Sequence, residues 1–257
     1  MIDKLIAIFF RLRDKIMNSH FVSRFEQRFP VVEHFLLERF SILHFRGLPL
    51  TALAVALVLN IALLSELTEK VMNSGSITRI DSIIAHYFFS VRSDYIAEAL
   101  YLFTQIGNEI TIVSMTILLT LYFIRKRLYT YLISLLVAVL GSGMTIFTGK
   151  KIFKINRPDE FAYYAENSFS FPSGHSTIAV AFYGFLVYLL LRYQKKSSTR
   201  NLTFYSGLFL VLTIGFSRIY LCVHYLSDVL GGYLLGLSWL ILAITNVEWN
   251  LRKRRAG

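Results

Sequence analysis

Long apolar stretches separated by short charged clusters dominate the chain. A helix that crosses a bilayer needs about 20 mostly apolar residues, and six stretches meet that need. Gly47 to Ser65 lies between Arg46 and Glu66. Ile110 to Ile124 is short, but extends backward through Ala99 to Asn108 with only Glu109 between. Leu128 to Gly149, His175 to Leu191, Asn201 to Ser217 and Val229 to Val247 complete the set. The pattern predicts an all-α polytopic membrane protein, a bundle of six transmembrane helices over residues 47–247. In residues 1–46, Ile2, Leu5, Ile6, Phe9, Leu12 and Ile16 recur at helical spacing, and Val31, Phe35, Leu36 and Phe40 follow Pro30 in a similar way. Both read as interfacial amphipathic helices, and the apolar run of the first is too short for a secretory signal. Between spans one and two, residues 66–108 form a loop in which Asn73-Ser74-Gly75-Ser76 marks a turn. Ile83 to Val91 and Tyr95 to Phe103 read there as short helices.

Composition agrees: 55% of residues are hydrophobic, 17% are charged and mean hydropathy is +0.54. A soluble domain carries about 25% charged residues. One cysteine, Cys222, excludes an internal disulfide framework and a cysteine-based zinc site. The net charge of +11 would fit nucleic acid, but its distribution points elsewhere. Alternate loops place 19 basic and 6 acidic residues on the side of residues 1–46 and the basic tail 248–257. The other side holds 8 basic and 10 acidic, with Glu109 counted there. By the positive-inside rule both termini are expected in the cytoplasm, and no nucleic-acid partner is expected.

Three polar clusters fall on the side where positive charge is disfavoured: Lys150 to Pro158, Phe171 to Ser176, and Ser217-Arg218 with His224 and Asp228. Lys150 and Arg157 are two helical turns apart and share a face if the helix continues, with Pro158 ending it. Ser173-Gly174 stands immediately before a span, where free backbone N–H groups bind anions. His224 and Asp228 are i and i+4, so that a carboxylate can hold an imidazole in one tautomer. Three cations, a backbone anion nest, two histidines and one carboxylate match a phosphate group. His20, His34, His44 and His86 read as structural.

These residues resemble the three-part signature of the type 2 phosphatidic acid phosphatase (PAP2) superfamily: Lys150-x6-Arg157-Pro158, Pro172-Ser173-Gly174-His175, and Ser217-Arg218-x5-His224-x3-Asp228. The likeness covers about residues 50–247. It implies hydrolysis of a phosphoester without a metal or cofactor, through a phosphohistidine. It makes His224 the nucleophile oriented by Asp228, and His175 the general acid and later base. Lys150, Arg157, Ser173, Gly174 and Arg218 become the phosphate-binding groups. The implied substrate is a lipid phosphate or diphosphate met at the periplasmic or extracellular face of the plasma membrane. Undecaprenyl diphosphate, phosphatidylglycerol phosphate, phosphatidic acid and a lipid A phosphate all qualify. The aromatic loop Phe161 to Glu166 reads either as a lining of the lipid entrance or as interfacial anchoring. Two other readings stay open: transfer of the phosphoryl group to a second lipid, and a non-catalytic lipid or anion transporter. The transporter is disfavoured because, apart from Glu109, no charge lies within the spans.

Overall fold

The computed structural model describes residues 48–256, with side chains for 49–252. The amphipathic helices expected in residues 1–46 lie outside the described residues. By contact the chain divides into two units, 1–54 and 55–257. Of the first, only the opening turns of one helix are described.

The described residues form α1 (Leu48–Asn73), α2 (Gly75–Val91), α3 (Asp94–Thr104), a 3-10 turn (Gln105–Gly107), α4 (Glu109–Arg125) and α5 (Tyr129–Phe153). After a loop come α6 (Gly174–Ile178), a π-helical turn (Ala179–Tyr183) and α7 (Gly184–Tyr193), which run on as one segment. Then follow α8 (Ser197–Tyr220) and α9 (Leu226–Ala256). Six helical segments are long and apolar enough to cross a membrane: Pro49–Asn73, Asp94–Arg125, Tyr129–Phe153, Gly174–Tyr193, Ser197–Tyr220 and Leu226–Arg252. The six-helix all-α membrane fold read from the sequence is therefore the one observed. The first span runs two turns past Ser65, and the Lys70 Nζ–Glu66 Oε1 pair at 2.6 Å joins i and i+4 on the surface of that extension. The second is broken by the 3-10 turn, and Asn108 restarts it by accepting the Ile110 N–H at 3.0 Å. Glu109 accordingly sits in the first turn of α4.

Central in the bundle is α9, packed on α5 along one side and on the Gly174–Tyr193 segment along another. Gly232 and Gly236, four residues apart, allow that second approach. A Cβ on Gly232 would lie 2.7 Å from the Ser173 carbonyl oxygen, and one on Gly236 would lie 2.3 Å from that of Thr177. Small residues at this spacing let membrane helices come close enough for dispersion to hold them. Leu135, Ala138, Phe182, Phe185, Ile214 and Val247 fill the core between. Polar ties add specificity. Asn60 donates to the Leu234 carbonyl at 2.7 Å and to Ser238 Oγ at 2.8 Å, and Trp239 donates to Thr145 Oγ1 at 3.0 Å. Large apolar side chains of α1 and α4 such as Val58, Leu59, Leu118 and Leu121 face outward, as a lipid-exposed surface requires. The C-terminus of α5, the loop 154–173, the start of α6, the end of α8 and the start of α9 all meet at one end of the bundle.

Candidate active site

Each signature segment reaches that end by a local device. Lys154 takes a left-handed conformation at φ 50°, stopping α5 one turn after Lys150. The expected shared helical face for Lys150 and Arg157 is therefore not formed. Arg157 stands in extended chain, and its guanidinium folds back into the site. At the end of α8, Cys222 adopts φ 53°, with Cys222 N–H bonded to Ile219 O at 2.9 Å and Val223 N–H to Arg218 O at 3.2 Å. That is a Schellman closure with cysteine where glycine is usual, and it turns the chain so that His224 follows Arg218 into the same space. His224 lies in this turn and not on α9, which starts at Leu226. Asp228, the third residue of α9, reaches back to accept the Tyr225 N–H at 2.8 Å, as in a capping box. A further carboxylate comes from α2, where buried Asp81 accepts the Ser227 N–H at 3.1 Å and the Ser227 hydroxyl. Burial raises the Asp81 pKa above the usual carboxylate value.

His224 is 2% exposed and Asp228 fully buried. His224 Nδ1 lies 3.3 Å from Asp228 Oδ2 and 3.2 Å from Ser170 Oγ, while the Ser170 hydroxyl donates to Asp228 Oδ2. On the other edge of the ring, Nε2 is 3.0 Å from Arg157 Nη1. A guanidinium has only donors, so Nε2 carries the lone pair and Nδ1 the proton. Burial first, then the positive charges of Arg157, Arg218 and Lys150, hold the His224 pKa well below the usual imidazole value. The ring is therefore a neutral base with its free electron pair facing Arg157.

Arg157 donates to the Ser168 carbonyl through Nε at 2.6 Å, to the Val223 carbonyl through Nη1 at 2.5 Å, and to Ser168 Oγ through Nη2 at 3.0 Å. Lys150 Nζ donates to the same Ser168 hydroxyl at 2.9 Å. Arg218, fully buried, is held by Tyr164 OH and by Glu166. The Glu166 carboxylate bridges both guanidinium groups, Oε2 lying 2.6 Å from Arg157 Nη2 and Oε1 against Arg218 Nη2. Ser173 caps α6, and its N–H is bonded to the Asp228 carbonyl at 3.0 Å. Beside it, a Cβ on Gly174 would meet only Ile146 Cγ2 at 3.7 Å, so the space beside this α-carbon is open. His175 is half-buried and lines a cavity of about 590 Å³ together with Lys150, Glu166 and Gly174. Among the described residues, no three His, Cys, Asp or Glu side chains converge as a metal site.

All eight sequence candidates thus gather at one end of the bundle, and five partners join them that the spacing of the motifs does not announce. Ser168, Ser170, Tyr164 and Glu166 come from the loop 154–173, and Asp81 from α2. From sequence the aromatic loop reads as a lining of the lipid entrance or as interfacial anchoring, and neither reading places Tyr164 or Glu166 on Arg218. In the fold, the Tyr163 N–H bonds to the Leu221 carbonyl at 2.9 Å, and Tyr163 and Tyr164 pack with Tyr220, Leu221 and Val223.

A buried imidazole with its lone pair toward Arg157, in one polar cluster with Arg218 and Lys150 at the end of a six-helix membrane bundle, is an arrangement suited to a phosphate group. The chain belongs to the PAP2 superfamily, whose model matches residues 131–252. It is 30% identical over 170 residues to phosphatidylglycerophosphatase B of Bacillus subtilis strain 168, covering 65% of this chain and 82% of that one. Its fold is similar to the crystal structure of the first transmembrane PAP2 type phosphatidylglycerolphosphate phosphatase from Bacillus subtilis. The TM-score is 0.67 at 25% identity, over 73% of this chain and 94% of that one.

Proposed function

We propose that the protein hydrolyses the terminal phosphate of a membrane lipid through a phosphohistidine on His224, with phosphatidylglycerol phosphate the first substrate to test. The observation that carries this is the His224 tautomer, fixed by Arg157 on Nε2 and by Ser170 and Asp228 on Nδ1. The incoming phosphoryl group takes over the Arg157 Nη1 N–H and leaves the lone pair free. Nε2 then forms a bond to phosphorus as the bond to the leaving oxygen breaks, and His175 delivers the proton that oxygen needs. Water next attacks phosphorus and gives its proton to His175, the P–N bond breaks, and phosphate departs. Lys150, Arg157, Arg218 and the Gly174 N–H hold the phosphoryl oxygens as charge spreads over them. Asp228 stabilises the imidazolium. With three cations at the phosphate, the step needs no metal ion.

A lipid substrate is supported by the cavity beside His175, whose remaining walls are mostly apolar residues of α4 and α5, among them Ile112, Val113, Leu140, Met144 and Phe147. An acyl chain fits there while the headgroup meets the cations. The outer-face reading rests on the sequence, in which the alternate segments on the side of residues 1–46 carry 19 basic residues against 8 on the side of the signature clusters. The test is phosphate release by purified protein in excess chelator, against phosphatidylglycerol phosphate, phosphatidic acid, undecaprenyl diphosphate and lipid A phosphates. An aryl phosphate of low leaving-group pKa needs no proton on departure. It should partly bypass His175→Ala in a single turnover, but not His224→Ala. Equal rates of aryl release from the two variants would overturn the assignment of nucleophile and acid.

A further inference from the structure

The phosphate site is already filled by part of the chain. Glu166 Oε2 lies 2.6 Å from Arg157 Nη2, and Oε1 sits against Arg218 Nη2. A carboxylate placed across two guanidinium forks makes the contacts that two phosphoryl oxygens make. Resting on the phosphatase reading above, we propose that Glu166 is an internal occupant of the phosphate site. On this proposal only a terminal, dianionic phosphate displaces it, so that it excludes the monoanionic phosphodiesters of the surrounding bilayer.

Three observations carry the proposal. First, of the three charged groups only Glu166 can leave. Its side chain is 22% exposed against 3% and 0% for Arg157 and Arg218. It also stands where the cavity beside His175 adjoins a second pocket of about 420 Å³, both being lined by Phe147, Lys150, Glu166 and Ser168. The carboxylate therefore has space to swing into. Second, it satisfies the site only in part. Arg218 Nε is buried and has no hydrogen-bond partner among the described residues, and a buried unpaired donor is costly. A phosphoryl group with three oxygens supplies an acceptor that a two-oxygen carboxylate does not. Third, charge decides the exchange. A phosphodiester carries one negative charge and two free oxygens, the same as the carboxylate it would replace, and it enters with a substituent on each side. A terminal phosphate carries about −1.5 to −2 at pH 7 and three free oxygens, so it gains both charge and contacts over Glu166.

Glu166 is thus a specificity-determining residue whose removal should tighten anion binding and relax selection. The test uses detergent-solubilised full-length protein, with the active lipid phosphate as substrate and orthovanadate, methyl phosphate and dimethyl phosphate as competitors. In the wild type, methyl phosphate should inhibit and dimethyl phosphate should not. In Glu166→Gln and Glu166→Ala, KM and the vanadate inhibition constant should fall roughly 10-fold or more, the factor that one charge-assisted hydrogen bond supplies. Dimethyl phosphate, and phosphatidylglycerol added to neutral micelles, should become competitive inhibitors. Unchanged vanadate and dimethyl phosphate constants in a folded variant would sink the proposal. So would loss of turnover with an unaltered melting temperature, since Glu166 would then be needed for chemistry. Should neither variant fold, the wild type alone decides: dimethyl phosphate inhibiting as well as methyl phosphate overturns it. Failure of the wild type to release phosphate from any lipid would instead refute the phosphatase reading on which this rests.

Discussion

Removing the Ser170 hydroxyl tests the least visible part of the site. Ser170 is fully buried, and its Oγ–H donates to Asp228 Oδ2 while facing His224 Nδ1 at 3.2 Å. Asp228 is itself fully buried, with Oδ1 unpartnered among the described residues. In Ser170→Ala the carboxylate keeps one short donor, the Tyr225 N–H at 2.8 Å, and the longer His224 contact at 3.3 Å. A hydrogen bond to a charged group contributes about 1.5–3 kcal/mol. At roughly 2–4 °C per kcal/mol for a chain of this size, the melting temperature should drop by about 3–12 °C. If the same energy is lost where His224 becomes an imidazolium, kcat should fall roughly 10- to 100-fold, at 1.36 kcal/mol per tenfold. KM should change little, because Lys150 and Arg157 are held by Ser168 and not by Ser170. Ser170→Thr, which keeps the hydroxyl, should recover part of the rate. The assay is phosphate release in micelles alongside intrinsic-fluorescence melting. A variant that melts early yet retains kcat within twofold of wild type would show that Ser170 supports the fold without orienting His224, and the reasoning would be wrong.

Two more outcomes follow from the packing and the charges. Gly236→Ala sets a Cβ 2.3 Å from the Thr177 carbonyl oxygen. It should cost about 1–3 kcal/mol by overpacking and lower activity by shifting His175 away from α9. Gly75→Ala, with nothing within 4 Å, should leave melting and activity near wild type; equal effects of the two would refute the close-approach argument. The depressed His224 pKa predicts that its imidazole NMR signals do not titrate between pH 8 and 6 in the ligand-free protein. Below about 6.5 the unfolded chain binds a proton that the folded site refuses, so this residue lowers stability as pH falls. A midpoint at or above 6.5 would contradict the neutral, lone-pair-out tautomer.

The sequence alone was enough for the six spans and for the positions of Lys150, Arg157, Ser173, Gly174, His175, Arg218, His224 and Asp228. Hydropathy over a 20-residue window is a local property, because every spanning helix satisfies its own backbone and meets lipid wherever it packs. The signature residues are legible for a related reason, since each cluster stands at the end of a span where charge is otherwise out of place. Only the tertiary structure decided how those ends are shaped. The left-handed Lys154 breaks the helical face that spacing assigned to Lys150 and Arg157, and the left-handed Cys222 moves His224 off the helix that carries Asp228. Neither residue type announces such a conformation; the surrounding packing imposes it. Asp81 meets Ser227 across 146 residues, Glu166 meets Arg218 across 52 and Ser170 meets Asp228 across 58. No periodicity links such positions. Ser170 meets Asp228 because Gly232 and Gly236 bring the Gly174–Tyr193 segment onto α9, carrying the end of the preceding loop with it. A buried carboxylate and two buried guanidinium groups then take the hydrogen-bonding partners that this closure places beside them.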